Sequence, residues 1–265
     1  MDAPPTSPPP LPGRVLLEQH WRDLVFLHWR VEPERVAPYL PPGTRPDVID
    51  GATWVGLIPF VLADTRFPPL PALHRLGTFV EVNVRLYARD ELGRRGVVFR
   101  TLEAGRLLPV VAARVGFGLP YHWARARVAR RVGAAGLELD FRSRRHGVRG
   151  PSTHVRARLG APLDASAPDA ELAAFLTARW GYHERHLGRT MWARNTHAQW
   201  PLVRAELLLL EDQLLAASGF PELASRPPDS VLASSGVRTA FSRPRPIEAR
   251  GWSFQPIRLR PPVRA

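Results

Sequence analysis

The clearest chemical pattern of the chain lies in residues 79–88, FVEVNVRLYA, where apolar and polar residues alternate. This period of two predicts a strand in which Glu81, Asn83 and Arg85 share one face, with about 7 Å between successive side chains. An arginine there could hold a carboxylate or stabilise an enolate, and a desolvated glutamate could move a proton. The alternative is a solvated face with a cross-strand salt bridge, and the spacing alone leaves both open.

Two shorter segments offer further acid–base or ligand-binding groups. Tyr121 and His122 follow Leu119-Pro120 and precede Trp123, and both are capable acid–base side chains. The alternative is a turn that closes onto the core. His28 and Arg30 share one face of the predicted strand at residues 24–31 (LVFLHWRV). They are ligand-binding candidates, although the spacing favours the alternative that His28 is a core histidine with its hydrogen bonds satisfied.

The pair His183-x-x-His186 is a candidate metal site, because two histidines at this spacing can share one face of a helix. No third ligand follows at a recognisable interval, since His154 and His197 are not anchored to the pair by spacing. An exposed polar helix end explains the pair better. We therefore predict no metal and no cofactor.

The composition removes several kinds of chemistry. Of the 265 residues, 37 are arginine; lysine and cysteine are both absent. Schiff-base lysines, thiolate nucleophiles, disulfides and cysteine metal sites are therefore excluded. The net charge of +13 suggests nucleic-acid binding, but the arginines are scattered and arginine-for-lysine replacement is typical of GC-rich coding sequence. A nucleic-acid partner is not expected and is kept only as the third hypothesis.

The chain is predicted to form one domain over residues 14–243. It is flanked by a disordered Pro-rich tail at residues 1–13 and a Pro- and Arg-rich tail at residues 244–265. The start lacks the features of a secretory signal and no stretch is long enough to span a membrane, so a cytoplasmic location is expected. Many short strands and about three helices, at residues 33–40, 107–115 and 168–179, predict an α+β fold with a large sheet or barrel.

Seven segments in order resemble a known family. They are His28-Trp29; Leu40-Pro41-Pro42-Gly43; Gly51 to Gly56 running into Pro59-Phe60; Glu81 to Tyr87; Ala113-Arg114 followed by Leu119-Pro120-Tyr121; Phe175-Leu176-Thr177-x-Arg179; and Trp200-Pro201-Leu202. This order resembles the YqjF-like family, a domain of unknown function within the acetoacetate decarboxylase-like superfamily. The resemblance covers roughly residues 17–243. It implies an antiparallel β-barrel or cone with a few peripheral helices and an internal small-molecule cavity.

The resemblance also implies where a site would lie. In the decarboxylases a Gly-aromatic-Pro-Lys stretch supplies the Schiff-base lysine. The matching stretch here, Gly118-Leu119-Pro120-Tyr121, has tyrosine in that place, and Glu81 matches the assisting glutamate. Decarboxylation through an amine is thus not expected. The resemblance implies that the face of Glu81, Asn83 and Arg85 lines the cavity and is not in contact with solvent. It also implies a homo-oligomer, because superfamily members often form homo-oligomers.

The leading hypothesis is a binding cavity for a small, anionic or carbonyl-bearing metabolite, in a lyase or isomerase that needs no lysine. Arg85 and Arg114 would hold the acid group, Glu81 would move a proton, and Tyr121 or His122 would be the partner acid. The rival hypothesis is a non-catalytic binding or sensing protein with the same cavity. The sequence does not separate these two hypotheses.

Overall fold

Strands dominate the computed structural model, which describes residues 7–73, 76–134 and 136–247. The strands are β1 Val15–Val31, β2 Thr44–Pro46, β3 Thr53–Arg66, β4 Phe79–Asp90, β5 Arg95–Ala104, β6 Tyr121–Gly133, β7 Gly136–Arg145, β8 Ser152–Pro162, β9 Gly181–His186, β10 Arg189–His197, β11 Leu202–Asp212, β12 Ser230–Ser242 and β13 Arg245–Pro246. The helices are α1 Pro33–Val36, α2 Leu107–Phe117, α3 Ala170–Thr177 and α4 Leu214–Ala217, with 3₁₀ turns at Ala37–Tyr39 and Pro221–Leu223. The described chain thus has many strands and few helices.

All of these strands belong to one mixed sheet. Most neighbours are antiparallel, but β5 is parallel to both β6 and β9. The predicted antiparallel barrel or cone is therefore not confirmed, because the sheet is mixed, with parallel pairing at β5. The physical reason is the connection: α2 carries the chain from the end of β5 back to the start of β6, and such crossovers produce parallel neighbours.

The sheet forks at two strands. One edge of β5 pairs with β4, while its other edge pairs with β6 through residues 102–104 and with β9 at Val97. In the same way, β12 pairs with β1 on one edge and with both β11 and β10 on the other. A central row of five strands, β12, β1, β3, β4 and β5, thus has two other groups of strands joined to both of its ends. One group, on one side, is β6, β7, β8 and β11. The other group, on the opposite side, is β9 and β10.

Strand β4 separates these two sides. Its residues Val80, Val82, Val84 and Leu86 join the largest apolar core. Glu81, Asn83 and Arg85 point the opposite way, toward β9 and β10, and line a cavity. The alternation read from the sequence is confirmed by this arrangement.

The predicted helix at residues 107–115 is confirmed as α2, which ends where Gly118 adopts the left-handed conformation (φ 71°). His183 and His186, by contrast, lie in strand β9 and not on a helix. Because side chains alternate in a strand, two residues three positions apart point to opposite faces of the sheet. His183 is buried and hydrogen-bonded to Asp90 (3.2 Å). Strand β8, whose polar and apolar residues alternate, was not predicted.

The predicted tails are described only in part. Residues 7–13 have no regular structure, and the carbonyl of Pro10 accepts a hydrogen bond from Arg194 (3.0 Å). The predicted C-terminal tail begins with the short strand β13, which pairs with β10. Residues 1–6 and 248–265 lie outside the described part of the chain.

The junction of β5 with β9 requires glycine, which gives a testable prediction. A Cβ atom added at Gly96 would lie 2.5 Å from the Trp192 ring and 2.8 Å from the carbonyl of Gly181. We expect Gly96→Ala to lower the free energy of unfolding by about 1–3 kcal/mol, because backbone and a buried ring must shift. Urea unfolding measures this change. Gly116→Ala is the matched control: its Cβ meets open space in α2, so stability should rise slightly. Equal effects of the two substitutions would contradict the account.

Candidate functional site

A cavity of about 370 Å³ lies between β4 and the pair β9–β10, and α2 covers part of it. This volume is in the range of small-molecule sites. Strands β1 and β3 contribute mainly apolar and aromatic walls, including Trp21, Ile58 and Phe60. Polar side chains are few and come mainly from β4, β6, β9, β10 and the end of α3. The cavity therefore combines an apolar body with a limited set of directed polar groups.

Glu81 and Tyr121 form a hydrogen-bonded pair in the cavity wall. The Tyr121 hydroxyl donates to Glu81 Oε2 at 2.7 Å, and the Glu81 residue is only 2% exposed. Burial raises the pKa of Glu81 to about 7, and it outweighs the hydrogen bonds from Tyr121 and Asn83, which act in the opposite direction. Burial and the neighbouring carboxylate raise the pKa of Tyr121 well above its usual value. Near neutral pH, Glu81 populates both protonation states while Tyr121 remains a donor.

Three other cavity-lining groups have polar atoms that are buried and find no hydrogen-bond partner among the described residues. They are Asn83 Oδ1, Asn195 Oδ1 and Arg179 Nη2. Unsatisfied buried polar atoms are costly, and in native proteins they are typically satisfied by water or a ligand. The residues that line the cavity thus include two acceptors and one charged donor that have no partner in the described part of the chain.

Arg179 is buried at the cavity wall and held rigidly. Its Nε donates to the carbonyl of Phe175 at 2.7 Å, and its Nη1 forms an ion pair with Asp47. Asp47 also binds Arg95 at 2.8 Å. Burial opposes ionisation of Asp47, but the charges and hydrogen bonds of the two arginines prevail and lower its pKa. Asp47 therefore pairs with two guanidinium groups and helps to hold Arg179 in place.

Arg85 adds a second guanidinium to the cavity. Its Nε donates to the Tyr87 hydroxyl at 3.0 Å, and its Nη2 donates to the carbonyl of Leu176 at 3.1 Å. The Tyr87 hydroxyl is also 2.6 Å from His28 Nε2. Burial lowers the pKa of His28 well below its usual value, and the charges of Arg85 and Arg179 act in the same direction. A neutral, buried histidine thus helps to position Arg85 through the tyrosine.

His197 lines the cavity next to a group of tryptophans. Its ring lies 4.6 Å from Trp180 and 4.9 Å from Trp200 between centroids. Burial lowers the pKa of His197 to about 4, and the charge of Arg85 adds to this effect. Because Nδ1 lies 2.7 Å from the carbonyl of Ala198, which only accepts, Nδ1 carries the proton and Nε2 is an acceptor.

Of the residues predicted for the site, four line this cavity and four do not. Glu81, Asn83, Arg85 and Tyr121 come together in it.

The other four predicted residues, His28, Arg30, Arg114 and His122, lie outside the residues that line the cavity. His28 is buried behind Tyr87, and Arg30 is exposed and bonded to the carbonyl of Asp50. Arg114 is on the exposed side of α2. The pleat of β6 turns His122 away from the side of Tyr121 and toward Arg145, which lowers its pKa together with burial, the larger cause. We leave these four out of the site.

Sequence reasoning missed Arg179, Asn195 and His197 as site residues. Arg179 belongs to one of the segments that carry the family resemblance, which is the one signal that pointed to it. Asn195 and His197 alternate along β10, two residues apart, in the same way as the β4 residues. No group of three or more metal-ligating side chains occurs in the described part of the chain. Nor is any described helix long and apolar enough to cross a membrane.

The arginine-rich segments meet on a hairpin, and none of these arginines lines the cavity. In β6 and β7, Arg125 is opposite Arg144 and Arg127 is opposite Arg142, all four exposed. Asp140 binds Arg142 at 3.2 Å at the edge of this group. This basic face extends over two cross-strand pairs of one hairpin.

Comparison with known proteins identifies the family. A sequence family described as "Uncharacterized conserved protein", DUF2071, matches residues 18–238, so the chain belongs to that family. It is 27% identical over 208 residues to the uncharacterized protein YqjF of Bacillus subtilis, covering 78% of this chain and 83% of YqjF.

Solved structures show the same fold at low identity. Acetoacetate decarboxylase from Legionella pneumophila superimposes with a TM-score of 0.59 at 13% identity, covering 92% of this chain and 94% of that protein. The enduracididine biosynthesis enzyme MppR, complexed with pyruvate, gives a TM-score of 0.55 at 16% identity and covers 91% of each chain. The predicted resemblance is confirmed: the chain is a YqjF-like protein with an acetoacetate decarboxylase-like fold.

The raised pKa of Glu81 predicts a pH-dependent stability. The folded protein holds this proton up to about pH 7, whereas an unfolded glutamate loses it near its usual value of 4.5. Between these values the folded state binds more protons, so this contribution to stability falls as pH rises. The Glu81→Gln variant lacks this pH-dependent contribution, because glutamine does not ionise. Relative to the variant, wild type should lose up to about 3 kcal/mol between pH 4.5 and pH 8.

Urea unfolding of both proteins across this pH range measures the difference, in which the contributions of other titrating groups cancel. Glu206→Gln, at an exposed position of β11, controls for loss of a surface negative charge. A difference between wild type and Glu81→Gln that does not change with pH would show that Glu81 is ionised throughout.

Proposed function

We propose that this protein binds a carbonyl-bearing carboxylic acid in the cavity and transfers a proton on it, as a lyase or isomerase without a Schiff base. The single observation that carries the proposal is the Glu81–Tyr121 pair, which is buried in the same apolar cavity as two guanidinium groups. A carboxyl group in a cavity with a pKa near neutral pH is a typical feature of acid–base sites.

The acid group of the ligand is assigned to Arg179 and Arg85. Arg179 has one free Nη2 donor at the cavity, and its other nitrogens are fixed by Phe175 and Asp47. A fixed guanidinium binds a carboxylate with little loss of side-chain entropy.

The proton transfer is assigned to Glu81. In its ionised form, the carboxylate removes a proton from a carbon next to the ligand's carbonyl and leaves an enolate. In its protonated form, it returns that proton to a carbon of the same intermediate. The ionised carboxylate accepts hydrogen bonds from the Tyr121 hydroxyl and from the Asn83 side chain.

The relatives support a ligand of this class. MppR is complexed with pyruvate, an oxo acid, and the Legionella protein is an acetoacetate decarboxylase, which likewise concerns an oxo acid. This chain has no lysine, so the same fold would act on such acids through acid–base groups alone.

Ligand binding and proton transfer are tested separately. A panel of 2-oxo and 3-oxo acids is screened by thermal shift, because a ligand that binds only the folded state raises the melting temperature. Arg179→Met should abolish the shift. Arg204→Ala is the matched control, since Arg204 pairs with Asp169 on the surface and should leave the shift unchanged. A shift that survives Arg179→Met would contradict the assignment of the acid group.

For acids that bind, incorporation of solvent deuterium is followed by NMR. Wild type should exchange hydrogen next to the carbonyl, and Glu81→Gln should still bind but exchange at least about 100-fold more slowly. Binding without any exchange in wild type would favour the rival hypothesis, a non-catalytic binding protein.

A further inference from the structure

The hairpin of β6 and β7 has one buried face and one exposed basic face. On the exposed face Arg125 is opposite Arg144, and Arg127 is opposite Arg142. Phe141, the neighbour of Arg142 in the chain, is fully buried in the main core behind them. Packing of the buried face therefore fixes all four arginine side chains on the same outer surface of the sheet.

These four arginines are arranged against the usual preference of a sheet. Like charges directly opposite each other destabilise an antiparallel pair of strands. Within the described part of the chain, Arg125, Arg127 and Arg144 form no ion pair, and Arg142 reaches only Asp140, at 3.2 Å. The positive charge of this face is thus concentrated and largely uncompensated.

The other end of the same face has balanced charges. Arg131 is opposite Glu138, and Glu138 is opposite Arg158 on β8, with 2.9 Å between the charged atoms of the latter pair. Arg158 also binds Glu206 of β11 at 2.8 Å. A general excess of arginine in the chain does not explain why one end of the face is compensated and the other is not.

An aromatic pair continues the basic face beyond its arginines. Trp123 lies two residues before Arg125 on β6, and the His146 amide donates to the Trp123 carbonyl at 2.9 Å. The two rings stack, with 3.8 Å between their centroids, and the Trp123 residue is 41% exposed. The exposed face therefore presents one aromatic pair and then two arginine pairs, at steps of about 7 Å along the strands.

We propose that this basic face and its aromatic pair bind single-stranded nucleic acid. The guanidinium groups of the four arginines hold phosphates, and the Trp123 ring stacks on a base. Proteins that bind single strands without sequence preference combine these same two features, a positive surface along the backbone and aromatic side chains for the bases. None of these residues lines the cavity, so the proposal is independent of the proposed function.

Two observations favour this partner. The arginines of the two densest segments were expected to be scattered, but the pairing of β6 with β7 brings them side by side, and phosphates between them would offset their repulsion. A membrane surface is the weaker fit. Membrane-binding surfaces place apolar side chains beside their cations, whereas positions 123, 125, 127, 142, 144 and 146 of this face include no aliphatic residue.

The test is fluorescence anisotropy of a labelled twelve-nucleotide oligothymidylate with the full-length protein over a range of salt concentrations. If four arginines displace counterions from phosphates, the logarithm of the association constant should fall with that of the salt concentration with a slope of about −3. Combining Arg125→Gln with Arg144→Gln should reduce the slope to about −1.5. The melting temperature of this variant should not fall, because the substitutions remove a like-charge pair.

The matched control combines Arg156→Gln with Arg158→Gln. It removes the same charge from the balanced end of the face and should keep the wild-type slope. A slope that is unchanged without Arg125 and Arg144, or reduced equally in the control, would overturn the proposal, because the arginine pairs would then not be the contact.

Trp123→Leu tests the stacking contact and separates the possible partners. It should keep the slope but weaken oligothymidylate binding about fivefold or more. A duplex of the same length should bind more weakly than the single strand and should not respond to Trp123→Leu. Equal binding of duplex and single strand, both insensitive to Trp123→Leu, would indicate a general affinity for polyanions and refute single-strand recognition. Sedimentation with phosphatidylserine vesicles in the absence of oligothymidylate binding would replace nucleic acid with a membrane as the partner.

Discussion

Strand β4 places its two faces in two different environments, and the candidate site depends on this division. The even-numbered residues from Val80 to Leu86 pack into the main core, which fixes the register and rotation of the strand. Because side chains alternate strictly in a strand, the odd-numbered residues must then face the other side. Glu81, Asn83 and Arg85 are thus held in a cavity wall by hydrophobic packing behind them.

This division has an energetic cost, which is characteristic of functional sites. Burial of Glu81 with one tyrosine partner makes its ionised form unfavourable, and polar atoms of Asn83, Asn195 and Arg179 find no partner in the described structure. A sequence selected for stability alone would place apolar groups there. The same features give a ligand with complementary donors and acceptors a large gain on binding, since the desolvation of these protein groups has already occurred.

The arrangement around the two guanidinium groups shows how the fold fixes a charge. Arg179 is tied to the end of α3 and to Asp47, and Arg85 is tied to Tyr87 and to the carbonyl of Leu176. Both side chains therefore meet the same short stretch of chain around α3. Movement of that stretch would displace both groups together, so the positions of both guanidinium groups are coupled to the packing of α3.

The sequence predicted the parts of the site that lie close together in the chain. Alternation along β4 showed the shared face of Glu81, Asn83 and Arg85, and the family resemblance added Tyr121. Pairing between distant strands was not predictable in this way. Arg179 and His197 reach the cavity only because β9 joins β5 and β10 joins β12, which are contacts without a local signal.

The same limit explains the predicted residues that lie outside the cavity lining. His122 follows Tyr121 directly, so the pleat of β6 must turn it away from Tyr121, whatever the sequence suggests about chemistry. Arg114 was predicted for the site because it precedes Tyr121 in one of the segments that carry the family resemblance. In the structure it lies on the exposed side of α2. The parallel pairing of β5 was missed because it depends on the path of α2 and not on residue pattern.

The central claim is that Glu81 is a buried carboxyl group that gains and loses its proton near neutral pH. Infrared difference spectroscopy, wild type minus Glu81→Gln, tests it directly, because a protonated carboxyl group has a carbonyl stretch that a carboxylate lacks. The account predicts that this band is present at pH 5, declines with a midpoint near pH 7, and changes position in Tyr121→Phe. Absence of the band at pH 5 and above would show a carboxylate that is always ionised, and would contradict the account.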